Sequence, residues 1–212
     1  MKMLNAPGGF RMLALAVLGA CGSASVHAAI SYDEGLSGDL SGSGLAPTSI
    51  SLSLGSNQVL GDTGRNVNGA VDRDYLTFVV PTGTALKSLW VLPGTTSGGA
   101  RGLAFLALEE GPQVTLPTSP ASAAGLLGWE HYGPDDIGED ILDNMGVSGA
   151  GATGFVPPLP EGTYSVWIQE LSTGTFPYAF DFELKAVPEA KNGVLLGGML
   201  AGLIAFRRWK RA

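Results

Sequence analysis

The sequence predicts an all-β fold, an antiparallel jelly-roll-like β-sandwich with a short rim helix, followed by a C-terminal hydrophobic helix. Three observations carry this expectation. Glycine and proline are abundant, 32 and 13 of 212 residues, and they cut the chain into short apolar runs. The runs recur roughly every ten residues, the spacing of sandwich strands. Within them apolar positions alternate with polar ones, the period of a half-buried strand.

Residues 1–28 read as a signal peptide. Lys2 and Arg11 give a positive start, Met12 to Gly19 is a short apolar run, and Val26-His27-Ala28 places small or β-branched residues about a cleavage point after Ala28. The apolar run is too short to span a bilayer. An uncleaved anchor is the alternative. Leu18-Gly19-Ala20-Cys21 also has the form of a lipoprotein box, which would move cleavage to Cys21 and place a lipid there. Cys21 is the one cysteine of the chain. After cleavage at Ala28 neither a disulfide nor a cysteine metal site is available.

Residues 29–186 suit one domain able to bury a sizeable core. Ser49 to Leu54 sets Ile50, Leu52 and Leu54 against serines. Tyr75 to Val80 alternates Leu76, Phe78 and Val80 with Tyr75, Thr77 and Val79, and Pro81-Thr82-Gly83 ends that strand. Leu86 to Leu92 reads as its neighbour. Gly102 to Leu108 is apolar on both faces, as a central strand is. Thr118 to Gly128, small and Ala-rich, reads as a loop or one helical turn. Asp135 to Met145 carries Ile137, Ile141 and Met145 at i, i+4 and i+8, which predicts the rim helix. Asp135 and Asp136 suit its N-terminus and Gly146 its end. Gly149 to Pro160 is a Gly/Pro loop. Thr163 to Gln169 alternates Tyr164, Val166 and Ile168 with a second face that includes Trp167, expected to be exposed. Tyr178 to Leu184 is the cleanest strand, with Tyr178, Phe180, Phe182 and Leu184 on one face and Ala179, Asp181 and Glu183 on the other.

Residues 187–212 have a different build. Val187-Pro188-Glu189 is a break, Gly193 to Phe206 carries no charge, and Arg207, Arg208, Lys210 and Arg211 follow. As a helix the uncharged stretch is about 21 Å long, short of the ~30 Å bilayer core, and Trp209 with the basic stems extends its reach by snorkelling. A basic end left inside, behind an exported body, obeys the positive-inside rule.

Charge excludes one class of partner. The chain has 19 Asp and Glu against 12 Lys and Arg, net −7. All the acids but Glu189 lie in the body, whose only Lys and Arg are Arg65, Arg73, Lys87, Arg101 and Lys185. Such a field repels nucleic acid, which is bound by neutralising phosphates. It suits solubility and divalent cations.

Catalytic constellations are sparse. His131 is the one histidine beyond the signal peptide, and no Gly-x-Ser-x-Gly elbow accompanies it. One histidine and no cysteine do not make a zinc site. Glu109-Glu110 and the acids from Asp135 to Asp143 are the paired carboxylates to weigh for glycoside hydrolysis, but adjacent strand residues point to opposite faces. Calcium is the best-supported chemistry. Asp33, Glu34, Asp39, Asp62, Asp72 and Asp74 lie in Gly-rich loops or at strand starts. Asp72 and Asp74, two apart, share a strand face, and Asp33 and Glu34 reach them if the N-terminal segment packs across that edge. These four are the candidate metal ligands. Trp129 and Trp167 are the candidate platforms for stacking a sugar ring.

Two resemblances add to this. The break, uncharged span and basic end resemble the PEP-CTERM sorting tail, processed by exosortase-type transpeptidases in Gram-negative bacteria that make exopolysaccharide. Ala190 stands where that family usually has a second proline. The resemblance implies export across the inner membrane, temporary anchoring through the tail, cutting near Pro188-Glu189, and residence at the cell surface or in the exopolysaccharide matrix. Leu54 to Val59, Asp72 to Gly83 and Leu159 to Ile168 come in the order of the motifs of the bacterial pre-peptidase C-terminal domain, and the body resembles that jelly-roll-like sandwich. Leu76 replaces a more typical Phe, and Thr95 to Val156 is longer than the family pattern. This resemblance implies a non-catalytic accessory module, of a kind in which some relatives bind collagen, carbohydrate or Ca²⁺. The function expected is a non-catalytic surface or matrix protein; a carbohydrate- or protein-binding module is the alternative, and a secreted hydrolase stands behind both.

Overall fold

The computed structural model describes residues 28–98, 104–119 and 122–188. Most of the signal segment, Glu189, the uncharged C-terminal span and the cluster Arg207, Arg208, Lys210 and Arg211 lie outside the described residues. Among the described residues no helix is long and apolar enough to cross a membrane.

The strands are β1 (Ala29–Asp33), β2 (Thr48–Ser49), β3 (Asn57–Arg65), β4 (Val71–Val80), β5 (Thr84–Val91), β6 (Ala104–Glu110), β7 (Gly128–His131), β8 (Gly162–Glu170) and β9 (Gly174–Ala186). Among the described residues there are also two short helices, α1 (Glu34–Ser37) and α2 (Leu142–Ser148), and a 3-10 turn at Pro134–Asp136. One sheet runs β5-β9-β3, with β1 parallel to β3 on its far side. The other runs β4-β8-β6-β7, with β2 parallel to β4. They join where β3 turns into β4, through Gly64 opposite Asp72 and Arg65 opposite Val71. The remaining pairs are antiparallel. The chain is thus a curled sheet closed into a sandwich.

The core fills the space between the sheets. Val59, Leu86, Leu89, Phe180, Phe182 and Leu184 enter from one side; Leu76, Phe78, Leu106, Leu108, Val166 and Ile168 enter from the other. Phe78 and Phe182 meet edge to face at 5.4 Å between ring centres. Each such side chain contributes about 1.5–3 kcal/mol by leaving water.

A second apolar cluster occupies the outer face of the β4-β8-β6-β7 sheet. Tyr75, Ala107, Val114, Leu126 and Trp167 are buried there, with Trp129 and Phe105 packed against them. The alternation rightly sets Trp167 opposite Val166 and Ile168, but its expected exposure is wrong: it is 2% exposed. Val114 and Leu126, from the segment between β6 and β7, pack over that face.

Other expectations change in detail. Of the apolar run Ser49 to Leu54 only Ser49 lies in a strand, the two-residue β2, which pairs with β4; the longer strand that follows in the chain is β3. The rim helix is α2, and it starts at Leu142 rather than Asp135. Gly138, at φ +88°, breaks the chain after the 3-10 turn. Ile137 bridges to Val91 and Asp140 to Trp90, so this stretch serves as an edge for β5. Asp140 Oδ1 accepts the N–H groups of Leu89 and Leu142. Ile141 and Met145 are buried as expected, but Gly146 lies inside the helix and Gly149 ends it.

Candidate metal centre

The site is built from both ends of the β1–β4 stretch. β1 lies parallel on β3, with Asp33 beside Leu60, which carries Glu34 to the Gly61–Asp62 backbone. Glu34 Oε2 accepts the Asp62 N–H and Oε1 the Leu40 N–H, both at 2.8 Å. After α1, Gly38 takes φ +93°, a conformation that favours glycine. Asp39 follows it and joins the same cluster. Asp74 comes from β4, on the inward face that continues as Leu76 and Phe78. One carboxylate oxygen each from Glu34, Asp39 and Asp74 lies within 4.8 Å of the others.

Asp74 is fully buried. Its Oδ2 accepts from the Tyr178 hydroxyl at 2.7 Å, and its Oδ1 has no hydrogen-bond partner among the described residues. Among those residues none of the three carboxylates is ion-paired with Lys or Arg. A buried, uncompensated carboxylate oxygen is costly, and the protonation equilibria show it. Burial pushes Asp74 up to about 8, the Tyr178 hydrogen bond opposes this, and the charges of Glu34, Asp72 and Asp39 add to the rise. Burial raises Glu34 as well; the Leu40 and Asp62 N–H groups pull it down, and Asp39 and Asp62 push it up.

Gly61 makes the room. A methyl group there would collide with the Tyr178 hydroxyl and the Glu34 carboxylate, so no larger residue fits between β1 and β9. Next to the trio opens a cleft of about 640 Å³, lined in part by Asp39, Asp62 and Asp72. The side-chain ligands of the trio are all carboxylate oxygens, the donors that hard cations such as calcium and magnesium prefer.

Of the four acids expected to bind metal, Glu34 and Asp74 come together. Asp33 does not join them: its Oδ1 caps α1 by accepting the Gly35 N–H at 2.9 Å. Asp72 is exposed on the cleft wall, its pKa raised by partial loss of solvent around its carboxylate and by the charges of Asp39 and Asp62. Asp39 takes the place given to Asp33. The Gly38-Asp39 pair carried the signal, a glycine that reverses the chain just after a one-turn helix.

The other candidates lie elsewhere. Trp129 and Trp167 line a cleft of about 290 Å³ on the outer face. Trp129 Nε1 donates to Ala150 O at 3.2 Å, and Trp167 Nε1 is buried with no hydrogen-bond partner among the described residues. His131 Nδ1 lies 3.0 Å from Ala104 O, and its ring packs against Phe105 and Trp129. Glu109 accepts from the Thr115 N–H and hydroxyl, while Glu110 is exposed. The two do not face one another.

No family model, curated protein or solved structure matches the chain.

Proposed function

We propose that the chain is an exported, non-catalytic module of the bacterial cell surface or exopolysaccharide matrix, sorted through its C-terminal tail and braced by one calcium ion at Glu34, Asp39 and Asp74. The observation that carries the calcium site is the buried Asp74, whose Oδ1 lacks a partner beside two further carboxylates. A cation there answers both the missing partner and the mutual repulsion. It also ties the N-terminal segment to the core, since Glu34 and Asp39 follow the edge strand β1 and Asp74 lies inside the sandwich on β4. Export and sorting rest on the sequence of the two ends, with an exosortase-type enzyme as the processing partner. The non-catalytic reading rests on the engaged Glu109 and on His131 packed among aromatic rings.

Calcium titration of the full exported chain tests the site. At a hundredfold excess over Kd, binding stabilises by about 2.7 kcal/mol, a rise in Tm of roughly 5–10 °C for a chain this long. Glu34→Gln removes most of that rise. No heat on titration and the same Tm in chelator and calcium overturn it. Intact mass of the exported protein tests the sorting: a mass that still contains Gly193 to Ala212 overturns processing near Pro188-Glu189.

A further inference from the structure

We infer that the cleft beside the cation takes a neutral polysaccharide, through adjacent hydroxyl groups of one sugar ring that complete the ion's coordination. This rests on the calcium reading above and names the ligand of that same site.

The donor count is the first reason. Calcium takes six to eight oxygens, and Glu34, Asp39 and Asp74 supply one ligand atom each within the cluster. The second oxygens of Glu34 and Asp74 are held by other partners: both Glu34 oxygens accept backbone N–H groups, and Asp74 Oδ2 accepts from Tyr178. Asp39, by contrast, is exposed and belongs both to the cluster and to the cleft of about 640 Å³. Of the three ligands Asp39 alone lines this cleft, so the ion meets it on its Asp39 side.

The walls say what enters. Asp39, Asp62 and Asp72 line the cleft together with Arg65, Asn66, Thr173 and Thr175, so its occupant must both donate and accept hydrogen bonds, as a hydroxyl does. With a doubly charged ion in place and Arg65 counted on the cleft wall, the five carboxylates of the trio, Asp62 and Asp72 still leave the region negative. A sulfated or uronic sugar is repelled there. An amine would compete with the ion for the carboxylates instead of binding alongside it. A hydroxyl meets both demands, because its oxygen can bind the cation while its proton goes to a carboxylate. Two hydroxyls on neighbouring ring carbons offer two such oxygens at chelating spacing.

The test uses the full exported chain and a neutral mannan, with calcium titrated in parallel. Mannan binds in millimolar calcium, is released by chelator, and binds again when calcium is restored. Mannan whose adjacent hydroxyls have been cleaved by periodate and reduced is not bound. Asp72→Asn weakens mannan about tenfold more than it weakens calcium, the loss of one charge-assisted hydrogen bond. Calcium binding without mannan binding, or mannan binding that persists in chelator, overturns this inference and leaves the calcium site standing. Absence of calcium binding overturns both.

Discussion

With the cation chelated, Asp74 titrates at about 8 against an ordinary 3.8, so between those values the folded chain holds a proton that the unfolded chain has released. Stability then falls as pH rises, because the unfolded state binds fewer protons. The contribution is fully present below about pH 4 and is lost as pH climbs through 8. In chelator, therefore, Asp74's contribution makes the melting temperature drop across that window, and calcium flattens the drop at its alkaline end. Asp74→Asn removes this dependence, melts higher than the unsubstituted chain at pH near 8 in chelator, and gains nothing from calcium. Melting curves at several pH values, with and without calcium, check all three; an alkaline drop of equal size in Asp74→Asn would count against the assignment. At this scale the sequence exposed the acids but not their grouping. Asp33 and Glu34 are neighbours of like chemistry, and only the backbone of α1 decides that one caps a helix while the other turns inward.

Strand β9 was legible because its pattern is simple. Tyr178, Phe180, Phe182 and Leu184 all face one core, so the period of two is unbroken. Phe182→Ala opens a cavity between the two sheets and costs about 3–5 kcal/mol, read as a lower urea midpoint with an unchanged slope; a loss under about 1 kcal/mol would mean that the sheets close over the gap. Strand β3 hid for the opposite reason. Its inward positions are Asn57, Val59, Gly61 and Thr63, so hydrophobic alternation is absent. Asn57 is nevertheless fully buried, its amide donating to the carbonyls of Ser53, Gly55 and Phe182. Gly61 gives its space to the Glu34 carboxylate and the Tyr178 hydroxyl. A strand that hosts a site and a polar clamp cannot also display an apolar face. Residues 135–145 misled in another way: a stripe at i, i+4 and i+8 fits a helix, but Gly138 and the bridges to β5 divide it.

The whole body is acidic, and this has its own effect on stability. Like charges on a compact chain repel, and simple salt weakens that repulsion within a Debye length of about 8–10 Å. Sodium chloride added to the chelated protein should therefore raise Tm gradually and without saturation. Calcium at equal ionic strength should give a larger rise that saturates, and magnesium, which holds its waters more tightly, a smaller one. If sodium matches calcium, screening alone explains the stabilisation. Fold class was readable from glycine and proline spacing; the apolar cover over the outer face was not, since Val114 and Leu126 lie in segments with no strand period. One contact carries further. The Val187 N–H donates to Gly83 O at 2.9 Å, so the chain leaves the sandwich beside the turn that follows β4. Asp72 and Asp74 sit at the other end of that strand, about 25 Å away at ~3.3 Å per residue. Were the chain tethered on its C-terminal side, the sandwich would be a spacer one strand long, with its acidic mouth at the end away from the tether.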